Sequence, residues 1–462
     1  MSAILSESYS FIWQPKVRMK SFFLVEAVVS ESMPLVETIS FMGRAHGFIR
    51  RCNLKMWILR WNGARRLIDR MLRVASASIF WRGSIMKQWL RYLLAMLAVC
   101  TSAALDAQTP AVTANKVRIH HVGVLSKGPL VPTNKEALAS AQAYLAQINR
   151  DGGVAGRQIE LVLLDDQQEP TLADTLSREV VERNEVLAFF LPRTSPANQM
   201  LLKNAQPAGV PIIAPQVGPN FMYTRDQRSF FTIRASYETE LVRAIDLQLK
   251  FDRKSFAFLA ADDSYGNPLV EAATQKLAPL SIRPMVSKVD NRAADINPAL
   301  TSFIQSRPEV IFLLCSASCA SDFVKKYKER GGTAQFITLS NNSSNAFLKG
   351  LGSAGRGVIV MQVMPLPTSK TVKLARDYQA LCADAKLSPS YNGLVAYVGA
   401  RVLVESLKRA GKNLNTETLR SALVSMNKFD LGDFVIAFNA NDFNGTDFVE
   451  ETIISRDGTF LR

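Results

Sequence analysis

Short apolar strand patterns alternate with amphipathic helix patterns twice along this chain, and this alternation restricts the fold more than any other feature. The first series runs from about residue 117 to 214. Strands are expected at 117–125, 159–164, 186–191 and 211–214, with helix patterns at 135–149, 172–184 and 198–208. Because parallel strands need crossover connections, single helices between strands predict a parallel sheet that is covered on both faces.

The same alternation starts again after residue 255. Strands are expected at 256–260, 284–289, 310–314, 335–338 and 358–363, with helix patterns at 267–277, 297–306 and 322–330. Helix patterns at 372–385, 391–410 and 416–425 follow, and 429–460 has short strand patterns with Asn, Asp and Gly turns. The sequence therefore predicts an α/β protein with two doubly wound parallel-sheet lobes. Ligands of such sheets bind beyond the carboxyl ends of the strands, so we expect a shared cleft between the lobes.

The amino-terminal part of the chain differs in composition from the rest. All tryptophans precede residue 90, namely Trp13, Trp57, Trp61, Trp81 and Trp89. The basic segment 86–91, the apolar run 92–99 and the small residues up to Ala107 follow the order of a secretory signal peptide. We therefore interpret 86–107 as a signal peptide cleaved after Ala107, and 1–85 as an over-extended, unstructured segment. A buried or amphipathic helix at 86–107 and a regulatory extension at 1–85 are the alternatives.

Export would place the protein in the periplasm. The apolar run is shorter than the ~20 residues of an ordinary membrane-spanning helix. Residues 97–100 resemble a lipoprotein box ending in Cys100, but Val99 is bulky where a small residue is expected. We therefore favour a cleaved signal peptide over a lipid anchor.

The excess of basic residues belongs mainly to the leader. The chain holds 55 Lys and Arg against 40 Asp and Glu, and residues 1–107 account for 15 and 6 of these, which leaves 40 and 34. The densest later basic cluster, 325–330, is typical of the solvated end of a helix. Nucleic-acid binding needs a clustered basic face, so we expect no nucleic-acid partner.

Neither catalysis nor metal binding is indicated. After Ala107 the cysteines are Cys315, Cys319 and Cys382. Cys315 and Cys319 could form a disulfide or pack as two thiols. His120 and His121 are adjacent on a predicted strand and point to opposite faces, so they cannot converge on one ion. The carboxylate pairs 165–166 and 262–263 follow strands, where turn or cap roles are typical. We expect no enzyme, no cofactor and no metal.

Several segments occur in an order known from one protein family. Residues 144–166, which include Asn149-Arg150-Asp151-Gly152-Gly153, resemble the first βαβ unit of the leucine/isoleucine/valine-binding proteins. These are type I periplasmic solute-binding proteins of ABC transporters. Further matches are 209–215, 230–234, 263–266 and 295–298, and the resemblance covers 116–462.

The resemblance implies a clamshell whose lobes are joined by a three-crossing hinge and close on a small ligand. Lobe 1 would comprise 116–233 plus 364–430, and lobe 2 would comprise 234–363 plus 431–462. The implied function is capture of a small carboxylate-, amide- or amino-acid-like ligand and its presentation to ABC permease subunits in the inner membrane, by a protein that is a monomer. A periplasmic sensing subunit with the same fold is the alternative.

The family's ligand contacts can be transferred to matching positions. The loop after the third strand offers the hydroxyls of Thr194 and Ser195 together with a helix start that favours an anion. The resemblance also implies an aromatic lid at Tyr265 and further contacts at Gln216, Val217, Gly218, Ser316 and Ser340. Tyr265 could instead be a turn tyrosine packed within its own lobe.

Two departures bear on the ligand. The family's acidic partner of an ammonium group should lie in 339–343, which contains no carboxylate. Because a buried ammonium without a carboxylate is costly, a carboxylate, amide or aromatic acid fits better than an α-amino acid. Arg193 is an additional residue that could pair with a second acidic group, although a solvated arginine is commoner at a cleft rim.

Overall fold

The computed structural model describes residues 110–291 and 294–462. The predicted signal peptide and the segment 1–85 lie outside these residues. The first part of the described chain forms strands β1 to β5 and helices α1 to α3. Their bounds are β1 Lys116–Gly123, α1 Val131–Arg150, β2 Gln158–Asp165, α2 Pro170–Glu182, β3 Phe189–Phe190, α3 Ser195–Ala205, β4 Ile212–Ile213 and β5 Phe230–Phe231.

The second series follows directly. It comprises α4 Tyr237–Lys250, β6 Phe256–Ala261, α5 Gly266–Leu277, β7 Met285–Val289, α6 Asn297–Ser306, β8 Val310–Leu314, α7 Ala317–Glu329, β9 Gln335–Thr338, α8 Asn345–Leu351 and β10 Ile359–Gln362. The remaining elements are α9 Lys373–Asp384, α10 Tyr391–Ala410, α11 Thr416–Val424, β11 Phe429–Asp430, β12 Val435–Ile436, β13 Glu450–Ile454 and β14 Phe460–Leu461.

These strands form two large sheets and a small hairpin. The first sheet has the order β2-β1-β3-β4-β5, and its strands pair in parallel. The second has the order β14-β13-β10-β9-β8-β6-β7, parallel from β10 to β7 and antiparallel at β13 and β14. The predicted fold class, two doubly wound parallel-sheet lobes, is confirmed. We call the bodies built on the first and second sheets lobe 1 and lobe 2.

Burial explains why the central strands lack polar alternation. Every residue of β6 and β8 is buried, as expected for strands covered by helices on both faces. Helix α10 is buried around most of its circumference because it packs against α1 and α11. The packed core of each lobe therefore supports the loops at its sheet edge.

The chain passes between the two sheets three times: after β5, after β10 and before β13. The first and third passages lie side by side, since the Thr232 hydroxyl donates to Asn444 Oδ1 at 2.9 Å and the Gly445 amide donates to Thr232 O at 2.8 Å. A Cβ on Gly445 would lie 2.9 Å from that carbonyl oxygen. The β11–β12 hairpin spans the predicted boundary between residues 430 and 431, and strands of the second sheet resume at Glu450.

Two of the differences between lobe 1 and the sequence prediction have a clear local cause. The strand expected at 186–191 pairs only over Phe189–Phe190, because Leu191 turns to a φ of 52° and ends it. The helix expected at 198–208 begins at Ser195 and ends at Ala205. The Thr194 side chain accepts the Ala197 amide at 3.3 Å, which starts the helix earlier than its apolar pattern indicates.

Candidate ligand-binding site

A cavity of about 610 Å³ lies between the loops that follow the strands of both sheets. Lobe 1 contributes residues that follow β1, β2, β3 and β4. Lobe 2 contributes the loops after β6, β7, β8 and β9. This is the carboxyl edge of both sheets, where doubly wound folds bind ligands.

The loop after β3 brings a helix start and a hydroxyl to the cavity. Thr194 has a φ of 61°, an uncommon conformation for a residue with a side chain, and it caps α3. Ser195 is 2% exposed and lines the cavity, and its Oγ has no hydrogen-bond partner among the described residues. Buried hydroxyls normally have partners, so this oxygen is suited to a ligand contact.

Arg193 also lines the cavity and is only 3% exposed, so the expectation of a solvated arginine is wrong. Its Nη1 donates to Gln216 Oε1 at 2.8 Å and to Asn392 Oδ1 at 3.1 Å. Burial lowers the pKa of Arg193 to about 10, so the side chain keeps its positive charge at neutral pH. The sequence interpretation missed this burial because Asn392 is far away along the chain.

Behind Arg193 lies a buried chain of polar side chains. Gln216 Nε2 donates to Asn134 Oδ1 at 3.1 Å and to Leu191 O at 2.9 Å. Asn134 Nδ2 lies 3.1 Å from His121 Nε2, and His121 Nδ1 lies 3.2 Å from Phe190 O. Since the carbonyl can only accept, this arrangement assigns the proton to Nδ1 and leaves Nε2 to accept from Asn134. Desolvation lowers the pKa of His121 to about 4, which agrees with a neutral ring.

Two tyrosines form an aromatic wall. The rings of Tyr265 and Tyr237 both line the cavity and meet edge to face, with centroids 4.9 Å apart. The Tyr265 hydroxyl donates to Asn341 Oδ1 at 2.9 Å, which fixes its ring against the loop after β9. Tyr237 was not among the predicted site residues.

The lobe 2 side is polar and carries both signs of charge. Asp263 Oδ1 accepts the amides of Tyr265 and Gly266 at 2.8 and 3.1 Å, a turn role. Asp262 Oδ1 lies 3.4 Å from Lys288 Nζ. No group of three His, Cys, Asp or Glu side chains within 110–291 and 294–462 could hold a metal ion.

A disulfide between Cys315 and Cys319 brackets Ser316 at the end of β8, so the pair is not two packed thiols. The Ser316 amide donates to Asn291 Oδ1 at 2.6 Å, and Ser316 Oγ accepts the Cys319 amide at 3.4 Å. These contacts fix the part of the lobe 2 wall to which Ser316 belongs.

A family model described as periplasmic binding protein matches residues 116–448, which is most of the chain. The chain belongs to the periplasmic binding protein family. Relatives of this binding protein include Leu/Ile/Val-binding protein homolog 2 of Brucella abortus, 23% identical over 298 residues that cover 63% of this chain and 78% of the relative. The resemblance to the leucine/isoleucine/valine-binding proteins is thus confirmed.

Two further proteins extend the comparison. An amino acid binding protein of Pseudomonas aeruginosa is 26% identical over 197 residues, covering 41% of this chain and 52% of the relative, so the match spans about half the relative's length. A fatty acid ABC transporter substrate-binding protein from Thermomonospora curvata superposes with a TM-score of 0.70 at 17% identity, covering 76% of this chain and 92% of that chain. At this identity the similarity establishes the fold alone.

The predicted contact residues of this binding protein separate into two groups. The cavity is lined by Thr194, Ser195, Val217, Tyr265 and Ser316, whereas Gln216, Gly218 and Ser340 lie away from its lining. Gln216 faces Arg193 and Asn134. Gly218 is packed at the first passage between the lobes, where a Cβ would lie 3.0 Å from Ala235 O.

Ser340 is engaged by a buried ion pair. Its Oγ donates to Glu240 Oε1 at 2.8 Å and accepts from Arg234 Nη2 at 2.6 Å, and its amide donates to Glu240 Oε2 at 2.8 Å. Arg234 Nη2 and Glu240 Oε1 are 2.5 Å apart. The loop 339–343 has no carboxylate of its own, and Glu240 of α4 supplies one beside it. This carboxylate is already bound by Arg234 and Ser340.

Proposed function

We propose that this chain is the periplasmic solute-binding component of an ABC importer. It captures a small carboxylate-, amide- or amino-acid-like ligand in the cavity between the lobes and presents it to the permease subunits. Membership of the periplasmic binding protein family supports the general role. The observation that carries the proposal is the cavity itself, which takes polar residues from both lobes and aromatic residues from lobe 2.

A ligand in this position converts binding into a change of shape. When it contacts Ser195 on lobe 1 and Tyr265 on lobe 2 together, it stabilises the closed arrangement, which a membrane partner can distinguish from the open one. No helix within the described residues is long and apolar enough to cross a membrane. In the proposal the protein acts as a monomer, and the permease provides the passage through the membrane.

The proposal is tested by ligand capture and closure. Purified protein is screened by thermal shift against amino acids, organic acids and their amides, and small-angle scattering then follows closure with each compound that binds. We expect a bound compound to raise the melting temperature, decrease the radius of gyration and be recovered unchanged. If no compound of any class binds or closes the protein, or if a bound compound is chemically converted, the proposal is wrong.

A pair of serine substitutions separates cavity binding from general effects. Ser195→Ala removes a hydroxyl that has no hydrogen-bond partner among the described residues, so we expect affinity to fall about 5- to 10-fold with little change in stability. Ser302→Ala, on the exposed part of α6, should change neither property. Uptake of the identified compound should fall in cells that carry Ser195→Ala and stay unchanged in cells that carry Ser302→Ala.

A further inference from the structure

We infer that the ligand is an organic acid whose carboxylate group pairs with Arg193 on the lobe 1 wall of the cavity. This inference rests on the proposed function because it concerns the same cavity. It names the chemical group that the site selects, and it assigns the selection to a residue that the family resemblance does not supply.

Arg193 carries a charge that has no carboxylate at ion-pair distance among the described residues, and Glu136 acts on this charge only from farther away. Its guanidinium has no Asp or Glu oxygen within 4.0 Å among the described residues, and the acceptors of its two hydrogen bonds are amide oxygens. Arg234, the other buried arginine nearby, has its own carboxylate in Glu240. Burying a charge is costly unless it is paired, so an anion in the cavity would remove this penalty.

The donors that remain on Arg193 match a carboxylate. Both of its side-chain hydrogen bonds to described residues leave from Nη1. Nε and Nη2 are left as two parallel donors on one edge of a planar group. Two parallel N–H donors of a guanidinium group can bind the two oxygens of a carboxylate. Such a paired contact is stronger and more selective than the contact that a point charge makes.

A second group at the same wall points to an anion. Ser195 is buried, lines the cavity and has an Oγ without a partner among the described residues. It is also the first residue of α3, a helix of 11 residues whose partial positive end lies at the cavity. Arg193 and Ser195 are therefore two independent donors on one short loop.

The arginine is held in place before a ligand arrives. Gln216 fixes Nη1 from the loop after β4, and Asn392 fixes it from α10. Asn392 Nδ2 donates to Thr133 O at 2.6 Å, and Gln216 is held in turn by Asn134. Because both supports are anchored in lobe 1, the carboxylate contact requires little reorganisation.

The inference is tested with matched acids and amides. The probes are leucine, 4-methylpentanoate, benzoate and glutarate, together with leucinamide, 4-methylpentanamide, benzamide and glutaramide, and binding to the full protein is measured by calorimetry. We expect at least one acid to bind about 100-fold more tightly than its amide, since a charge-assisted bidentate contact is lost in the amide. Leucine and 4-methylpentanoate differ in the ammonium group, so their comparison reports whether that group contributes.

Three arginine variants assign the preference. Arg193→Met should remove the preference for acids, and Arg193→Lys should keep about a tenth of the affinity because it retains charge without the paired donors. Arg330→Met changes an exposed arginine at the end of α7 and should leave binding unchanged. Circular dichroism of each variant checks folding, and the comparison of acid with amide on the unchanged protein does not depend on any variant.

The outcomes distinguish this inference from the proposed function. If amides bind as tightly as acids, if no acid in the panel binds, or if Arg193→Met keeps the preference, the inference is wrong. Binding and closure with a neutral compound would overturn the inference and leave the proposed function standing. Failure of every compound to bind would overturn both.

Discussion

At the scale of single residues, the two histidines of β1 are buried side by side. Desolvation lowers the pKa of both His120 and His121 to about 4, against 6.5 for a free histidine. Between these values the unfolded chain binds more protons than the folded one. The stability that the two neutral histidines contribute is therefore complete above about pH 6.5 and is lost as the pH falls towards 4.

We therefore predict a decrease in the free energy of unfolding of about 1 kcal/mol per pH unit per histidine between pH 6 and 5. Urea denaturation across this range measures it. The double variant His120→Gln/His121→Gln is the control, and its profile should be flatter. If the free energy of unfolding depends on pH equally in the two proteins, His120 and His121 are not the cause of the decrease.

The buried pair of Arg234 and Glu240 provides a second prediction. Arg234 is 2% exposed and Glu240 is completely buried, so Glu240→Gln leaves an uncompensated cation in the interior. We expect the free energy of unfolding to fall by about 3 kcal/mol. Glu451→Gln removes the partner of the half-exposed Arg243 by the same chemical change and should cost less than about 1 kcal/mol. Chemical denaturation measures the free energy of unfolding of both variants. A similar decrease in the two would show that burial of the ion pair does not determine the effect.

Local sequence predicts some site residues and not others. Thr194, Ser195, Tyr265 and Ser316 follow strands or begin helices, so a family resemblance can place them in loops at the sheet edge. The burial of Arg193 depends on Asn392, and the position of Ser340 depends on Glu240, about 100 residues before it. Partners that meet only after the chain has folded have no periodic signal in the sequence.

At the scale of elements, helices α1, α9 and α10 meet at Gly393. A Cβ there would lie 2.1 Å from the Tyr378 hydroxyl and 2.6 Å from Ser140 Oγ, two atoms that are hydrogen-bonded to each other at 3.0 Å. Alanine favours a helix over glycine by ~1 kcal/mol, but this contact is too close for a small adjustment.

We therefore predict that Gly393→Ala lowers the free energy of unfolding by about 1–3 kcal/mol. Gly350→Ala in α8 is the matched control, because its nearest neighbour, Ser321 Oγ, would lie at an ordinary 3.4 Å. Thermal and urea denaturation should show no loss for the control. If Gly393→Ala leaves the free energy of unfolding unchanged, α10 can move away from its neighbours.

The elements themselves were largely predictable from periodicity, and their ends were less so. The buried strand over 310–314 appears as predicted, because a run of apolar residues is what a doubly covered sheet requires. The short β3 could not be predicted, since its end depends on the positive φ of Leu191. The antiparallel order at β13 and β14 likewise depends on contacts between distant segments.

At the scale of the whole molecule, the predicted export divides the chain near Ala107. The part that remains would hold 40 Lys and Arg against 34 Asp and Glu and no tryptophan. We predict that the periplasmic form begins near Gln108, which amino-terminal sequencing and intact mass can measure. Its absorbance at 280 nm should then come from tyrosine with a small cystine contribution. Recovery of Ser2 at the amino terminus would contradict the division.

The second sheet has a consequence for the order of biosynthesis. Its parallel strands β6 to β10 are made well before β13 and β14, yet β13 pairs along the outer edge of β10. Until residues 450–461 have been made, that edge keeps unpaired amide and carbonyl groups, which can pair with another chain. Lobe 2 can therefore be completed only after synthesis of its last strands, and until then the edge of β10 is open to pairing with another chain.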